Sequence, residues 1–561
     1  MKRWENNEVY LKSKKYIFLT WVIIFVSLIF ITVFELQSGQ YGTRSSHELE
    51  KVILNLKKGY EEGAVHTNDR ERVYLGGGSG ELVTVLEFLK YAPVQMSGIT
   101  ELDAAEPGSY VVMDASWLSE NWQELQIYCE NKDLKVILYN LTEKEMDEEA
   151  YCEFLGIKKY VGTKKCKGIR FLDGFWTDVS MTEKKYQYQA LDLEIENGRQ
   201  VYITEYSKDY EKNKVIPLLY RQIYGNSELY VVNGDLMEVI PQGILQGIFM
   251  QKETYMYPVI NASFTAITTF PLLSNENEKE LRNRYSRNVK QFTEDILLPD
   301  IGVICDNLGQ KPSVLACFHI KDGKESTENL DYIFEEIQKM NGEVGIMVKD
   351  SEAEKWLRKE RKDIEIGSFM LSGSESEPVC AKPLAVYLEK GGSKVLPVLS
   401  IDDSGTVLTP VYDFIEKEPK MTLQYWASVY GYGLSALGTD MEKAYYPDDE
   451  EWNEVSKRIA KNVENTVLQI KTLEPLTLYE TGLRVQQYQM QESDIQYTDE
   501  GVKVDIDGFT GNAEFILKTD KEIKEVQNGT AKAFGEGMYL VSFTKENGRV
   551  ILEPSKLEYA Q

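Results

Sequence analysis

Histidine is nearly absent from this 561-residue chain: His47, His66 and His319 are the only three. No two stand at helical or loop spacing, so no local segment offers the imidazole pair that a catalytic zinc site draws on. Cysteine is sparse and dispersed. Cys129, Cys152, Cys166, Cys305, Cys317 and Cys380 contain no Cys-x-x-Cys, which excludes a zinc ribbon or a thioredoxin-type redox motif. Cys152 and Cys166 are candidates for a disulfide, with buried thiols as the alternative. Positive charge is also short. Lys and Arg number 63 against 90 Asp and Glu, for a net charge of −27, and no basic stripe breaks the acidity. Nucleic acid is therefore not an expected partner. An acidic surface keeps a protein dispersed, and it also attracts cationic polymers.

Aromatics and apolar residues are plentiful, at 11% and 42%, with 35 Tyr, so every domain can build a core. The length predicts two or three domains. One run stands apart. Residues Tyr16–Phe34 are 19 uncharged, apolar positions, long enough to cross a bilayer as a helix. The 15 residues before it carry five Lys or Arg and two Glu, a net +3. The positive-inside bias then puts residues 1–15 in the cytoplasm, a single transmembrane helix at 16–36 and the bulk of the chain outside. The run is long for a signal-peptide core, and Glu35-Leu-Gln-Ser-Gly-Gln is a poor cleavage site, so the reading is an uncleaved anchor.

Residues 37–70 read as a juxtamembrane spacer with one helix around Leu49, Val52, Ile53 and Leu56. Residues 71–250 alternate strand and helix patterns, with strands at Arg72–Leu75, Tyr110–Met113, Lys135–Tyr139 and Leu229–Val232 and helices at Gly80–Tyr91 and Trp117–Asn131. That rhythm predicts a mostly parallel α/β sheet. Gly76-Gly-Gly-Ser-Gly80 fits neither a dinucleotide nor a Walker motif and reads as a flexible turn. The rhythm resumes over residues 251–490, with strands at Ser313–Phe318, Val344–Val348 and Lys394–Leu399. An amphipathic helix is expected at Thr327–Met340, another from about Glu450, and a capping box at Thr477-x-x-Glu480. Residues 491–561 hold strands alone, separated by turns such as Asp507-Gly508 and Asn528-Gly529, which predicts a β-sandwich.

The stretch Tyr257-Pro-Val-Ile-Asn-Ala-Ser-Phe-Thr-Ala-Ile-Thr-Thr-Phe-Pro271 resembles the first barrel strand of polysaccharide deacetylases of the NodB type. More narrowly, it resembles a bacterial family associated with Pel-type exopolysaccharide synthesis, in which a Tyr-Pro-x-x-Asn-Ala lead-in precedes an Asp-Asp-Phe-Pro signature. Tyr257, Pro258, Asn261, Ala262, Phe270 and Pro271 match; Thr268 and Thr269 stand where the acidic pair belongs. Tyr445-Tyr-Pro-Asp-Asp449 and Pro475–Glu480 also resemble late segments of the family. The resemblance implies a flavodoxin-like or amidotransferase-like α/β domain at 71–250 and an irregular (β/α) barrel at 251–490. It also implies a metal held by an Asp and two His, with a second carboxylate as general base. A threonine hydroxyl does not ionise near neutral pH and can supply neither role, and the histidine pair is missing. Amidotransferase chemistry lacks a Cys–His pair for the same reason. The expectation is thus a degenerate barrel with no metal or other cofactor. It would act as a polysaccharide-binding or scaffolding component of a synthase complex, with active deacetylase or glycoside hydrolase chemistry as the alternative. Asp402 and Asp403, after an expected barrel strand, and Tyr445, Asp448 and Asp449 are the candidate ligand-binding residues, suited to a cationic amino-sugar polymer. Helix capping and turn roles compete for the same acids. Trp426, Tyr430, Tyr432 and Tyr446 are further aromatics near expected loops, where core packing competes with stacking on sugars.

The charge step across Tyr16–Phe34 generates a direct test. A reporter fused after Gln561 is expected outside the cytoplasm, with the protein staying in the membrane fraction through high-salt washing. A soluble form beginning near Gly39 would show a cleaved signal instead.

Overall fold

The computed structural model describes residues 70–553 apart from 79, 119–120, 178–179, 209–214, 272–277, 318–327, 349–365, 372–385, 391–398, 402–405, 414–418, 442–450, 455, 458–459 and 462–471. All described residues fall within one unit, Leu56–Gln561. Among them no helix is long and apolar enough to cross a membrane; the run Tyr16–Phe34 and the spacer before residue 70 lie outside them.

The N-terminal half is built on a nine-stranded sheet. Strands β1 (Arg72–Gly76), β2 (Ala92–Met96), β3 (Ser109–Asp114) and β4 (Leu134–Tyr139) alternate with helices α1 (Gly80–Phe88) and α2 (Trp122–Asn131), and α3 (Glu149–Phe154) follows β4. Their side chains are apolar on both faces, as helices on either side of a parallel sheet require. The next strands differ: β5 (Ile157–Phe171), β6 (Met181–Ile195), β7 (Gln200–Glu205), β8 (Pro217–Tyr224) and β9 (Ser227–Val232) follow one another with no helix between them among the described residues. The order is β2-β1-β3-β4-β9-β8-β7-β5-β6. The first five positions are parallel, in the doubly wound order 2-1-3-4-5 known from flavodoxin; the rest are antiparallel. The expectation of a mostly parallel sheet therefore holds for one half only. In the other half Lys-rich strands such as β5 carry exposed side chains along much of their length, so they lack the continuous apolar run that marks a buried parallel strand. Cys152 on α3 and Cys166 on β5 are both free thiols.

Helix α4 (Pro241–Phe249) leads into the second half, where β10 (Thr254–Pro258) and β11 (Ala262–Pro271) divide the Tyr257–Pro271 stretch between them. Further on come α5 (Leu298–Leu308), β12 (Pro312–Cys317), α6 (Glu328–Lys339), β13 (Glu343–Val348), β14 (Ser368–Leu371), β15 (Val386–Lys390), β16 (Ser400–Ile401), β17 (Val407–Asp413), α7 (Pro419–Tyr432), β18 (Leu434–Asp440) and α8 (Leu478–Met490). Strands β11, β12, β13, β14, β15, β17 and β18 pair in parallel, and β18 returns to β11, closing a ring of seven. The short β16 adds antiparallel to β17. Helix α8 opens with the capping box, Thr477 and Glu480 each accepting from the other's backbone N–H. Its first turn seats on the N-terminal ends of the ring strands. Leu478 N donates to Ser313 Oγ at 2.7 Å, and Tyr479 N donates to Glu343 Oε1 at 3.0 Å. Burial raises the Glu343 pKa, while the Tyr479 amide, Ser368 and Ser313 work against that rise.

The C-terminal strands β19 (Glu492–Thr498), β20 (Gly501–Asp507), β21 (Ala513–Thr519), β22 (Glu522–Gln527), β23 (Gly529–Gly535), β24 (Met538–Phe543) and β25 (Asn547–Glu553) form two four-stranded antiparallel sheets around their own core. One sheet, β10-β21-β24-β23, takes its outermost strand from residues 254–258. The lead-in to the barrel thus belongs to the sandwich by hydrogen bonding.

The joint between them is a buried polar hub. Asn261 sits between β10 and β11 at φ +54°, a conformation Asn tolerates better than most side chains. Its Nδ2 donates to Glu514 Oε2 at 3.1 Å, and its Oδ1 accepts from Glu474 N at 3.0 Å. Glu514 also pairs with Arg484 of α8 at 3.2 Å and accepts from Ser542 Oγ, while Arg484 reaches Glu474 at 2.6 Å. The side chains of Arg484 and Glu514 are 3% and 4% exposed. Removing one member strands a charge away from water, so Arg484→Met is expected to cost about 3–5 kcal/mol in urea unfolding of the full chain. Asn261→Gly, which keeps the backbone and loses two hydrogen bonds, is expected to cost about 1–3 kcal/mol.

Candidate functional site

Two places in the second half can carry chemistry. One is the rim where the ring strands end, and the other is a cavity outside the ring. At the rim, β11 carries a bulge against β12: Ile267 faces Val314 and Phe270 faces Ala316, so Thr268 and Thr269 together oppose a single residue. Bulges at barrel rims re-aim side chains beside active sites. The Thr268 hydroxyl is buried, 5% exposed, and donates to the Thr439 carbonyl at 3.4 Å. The Thr439 hydroxyl is buried without a hydrogen-bond partner. Two acids end the neighbouring strands. Asp440 closes β18 in register with Thr268, and Asp413 closes β17 in register with Gly438. Sequence reasoning passed over both, because neither belongs to a motif; only the closed register sets Asp440 beside Thr268 and Asp413 one strand further along the rim.

Asp402, Asp403, Tyr445, Asp448 and Asp449 lie outside the described residues, as do His47, His66, His319 and the side chain of Thr269. Of the aromatics singled out, Tyr430 is core, stacked on Trp176 at 5.3 Å, and Tyr432 lines the cavity. Among the described residues no group of three or more His, Cys, Asp or Glu side chains converges. The donor set at Thr268 does not fit the metal that the sequence resemblance implies. A neutral hydroxyl given to a backbone carbonyl offers no charge to offset a divalent ion.

The cavity measures 540 Å³ and lies between the two α/β halves. Its first wall is the carboxyl edge of the N-terminal sheet. The connection from β1 runs to β2 on one side, while β3 and β4 lie on the other, and the crevice at such a switch of direction is where doubly wound sheets take ligands. Gly78 after β1, Asp114 ending β3 and Asn140 after β4 all line it. The turn at Gly77 and Gly78 runs at φ +71° and +120°, which explains the glycine run. Asp114 is tied down: Oδ1 accepts from the Ser116 amide and hydroxyl at 2.8 and 2.5 Å, and Oδ2 accepts from Asn140 Nδ2 at 2.9 Å. The Tyr139 phenol is pushed up to about 12, mainly by burial and also by Asp114.

The second wall is helical. Pro241 and Gln242 come from α4, while Lys420, Gln424, Ser428 and Tyr432 come from α7. Pro410 and Tyr412 of β17 complete it, and Tyr412 meets Tyr425 of α7 edge-on, so this wall is the outside of the ring. Between the walls, Tyr186 of β6 donates its hydroxyl to Asp235 Oδ2 at 2.6 Å. The other oxygen of Asp235 is buried with no partner. Burial raises the Asp235 pKa; the Tyr186 hydrogen bond opposes the rise. Glu81 and Glu238 add two exposed carboxylates, against a single cation among the described residues, Lys420. Such a lining repels phosphate and favours a cation.

Because its folded-state pKa is raised, Asp235 favours folding while protonated and loses that contribution as pH rises through the folded-state value. Asp235→Asn is therefore expected to melt above the parent at about pH 8, with the gap closing as pH falls below the unfolded carboxylate value of about 3.9. Thermal melts at the two pH values measure it; equal gaps at both would contradict the assignment.

No family model matches the chain, and no curated protein is significantly similar to it. Among solved structures, the chain is similar in fold to Agd3, described as a novel carbohydrate deacetylase. That match has 8% identity and a TM-score of 0.49, over 86% of this chain and 98% of that one. A cytoplasmic protein from Salmonella typhimurium matches at 10% identity and a TM-score of 0.22, over 31% of this chain and 93% of its own. A β-galactosidase from Rahnella matches at 11% identity and a TM-score of 0.21, over 30% of this chain and 29% of its own.

Proposed function

We propose that the chain is a membrane-anchored, extracytoplasmic component of Pel-like exopolysaccharide synthesis or export, whose deacetylase-like barrel binds polymer without deacetylating it. The observation that carries this reading is the end of β11. There the bulge that would present an acidic pair presents Thr268, a buried neutral hydroxyl given to a carbonyl. The closed parallel ring and the use of Tyr257–Ala262 as its lead-in support the deacetylase-like half of the reading. The net charge of −27 supports a cationic polymer, such as a partly deacetylated amino-sugar chain, with Asp402, Asp403, Tyr445, Asp448 and Asp449 as its contacts. A second reading, an active deacetylase or glycoside hydrolase, is favoured by one observation: Asp440 ends β18, which pairs with β11, and Asp413 ends β17, the next strand of the ring. Paired carboxylates at that end of a barrel can serve as acid and base.

Three measurements on the full-length protein separate the readings. The non-catalytic reading expects no stoichiometric zinc, cobalt or nickel, no amine release from acetylated oligomers, and binding of partly deacetylated oligomers. That binding should weaken with salt, because exposed charges are screened over about 8 Å at physiological ionic strength. One tightly held zinc together with amine release would replace it with the enzymatic reading.

A further inference from the structure

The cavity outside the ring contains two unfilled groups. Gln424 and Tyr432, both on α7, are 6% and 3% exposed and line it. Among the described residues, neither the Gln424 amide nor the Tyr432 hydroxyl has a hydrogen-bond partner. Neither is among the fully enclosed unpartnered groups, so both polar ends open on the cavity itself, where a ligand can supply their hydrogen bonds. The volume, 540 Å³, suits a small molecule. The place, at the switch of direction of the N-terminal sheet, is where such sheets hold ligands. The charge selects among ligands. Asp114 is already occupied by Ser116 and Asn140, which leaves Asp235, Glu81 and Glu238 facing Lys420, an excess of negative charge. A bare inorganic cation would satisfy the carboxylates and leave the amide and phenol unfilled; a neutral polyol would do the reverse. A ring carrying both hydroxyls and one ammonium does both, and tyrosine faces such as Tyr186 and Tyr412 suit the apolar side of such a ring.

We propose that this cavity binds a single amino-sugar unit, its ammonium held by the field of Asp235, Glu81 and Glu238 and its hydroxyls bonded by Gln424 and Tyr432. The choice of an amino sugar rests in part on the polysaccharide reading above. The site does not, since it lies on the outer side of the ring, away from the rim where β11 ends.

The test is calorimetry on the full-length protein in detergent with glucosamine, N-acetylglucosamine and calcium chloride. Glucosamine is expected to bind in the millimolar range and N-acetylglucosamine, which lacks the charge, about tenfold more weakly, on the scale of one charge-assisted hydrogen bond. Gln424→Met and Tyr432→Phe should each weaken glucosamine about tenfold for the loss of one buried partner, with melting curves confirming the fold. Lys420→Ala should tighten it about two- to fivefold by removing the opposing charge, a gain that misfolding cannot produce. No glucosamine binding, binding indifferent to all three substitutions, or calcium displacing glucosamine with no effect of Gln424→Met would each overturn the proposal. The two readings fail separately. If long oligomers bind the parent and Gln424→Met alike while glucosamine does not bind, the cavity is wrong and the polymer reading stands. If glucosamine behaves as expected and no oligomer binds, the cavity stands and the polymer reading falls.

Discussion

Helices α4 and α7 approach each other closely, and the relation between the two α/β halves follows from that contact. The approach depends on Gly243 of α4, while Gly247 one turn on admits the Phe175 ring. A Cβ on Gly243 would come within 2.7 Å of Trp176 and 2.8 Å of Ala427, and one on Gly247 would strike the Phe175 ring. Without side chains there, the helices press together under Trp176, whose Nε1 donates to the Gly243 carbonyl at 2.9 Å while its ring stacks on Tyr430 of α7. One apolar core consequently runs from the N-terminal sheet through this contact into the ring. The cavity is what remains beside it, where Pro241 and Gln242 precede the glycines and Gln424, Ser428 and Tyr432 line the facing helix. Close packing on one side fixes the width of the opening on the other.

Carboxylates at low exposure divide by position into structural and accessible ones. Glu343 receives the first turn of α8 at the N-terminal end of the ring, and Glu514 ties Arg484 and Asn261 together where the sandwich meets the barrel. Both lie away from the rim where β11, β17 and β18 end, and both are held by partners, Glu514 through its two oxygens and Glu343 through Oε1. Conservation of stability, rather than chemistry, is their physical role. Asp235 differs in having an oxygen left over.

Local signals in the sequence were enough for the pieces that local physics decides. The strands β1, β3, β4 and β9, the helix at Glu328–Lys339, the Thr477–Glu480 capping box and the turns at Gly508 and Asn528 all lie where periodicity and turn chemistry put them. The antiparallel strands β5 to β8 escaped because their faces are half polar and their pairing is set by partners far along the chain. The division of Tyr257–Pro271 into two strands escaped because a single residue, Asn261, turns the chain with a φ that no composition signal announces. The cavity was illegible for a related reason. Its lining runs from Gly78 to Tyr432, and nothing in the spacing of those residues brings them together until the sheet, α4 and α7 are packed. Asp440 likewise became a neighbour of Thr268 only through ring closure.

The pairing of β10 with β21 also governs the order in which this chain can become complete. Thr254 and Thr519 meet through their hydroxyls across a separation of 265 residues. A chain emerging N-terminus first therefore presents the backbone donors and acceptors of β10, directly beside the first ring strand, long before their partner exists. Contacts of such separation form late, and an unpaired strand edge invites association with other chains in the meantime. The C-terminal sandwich is thus the closing piece of the barrel's own construction.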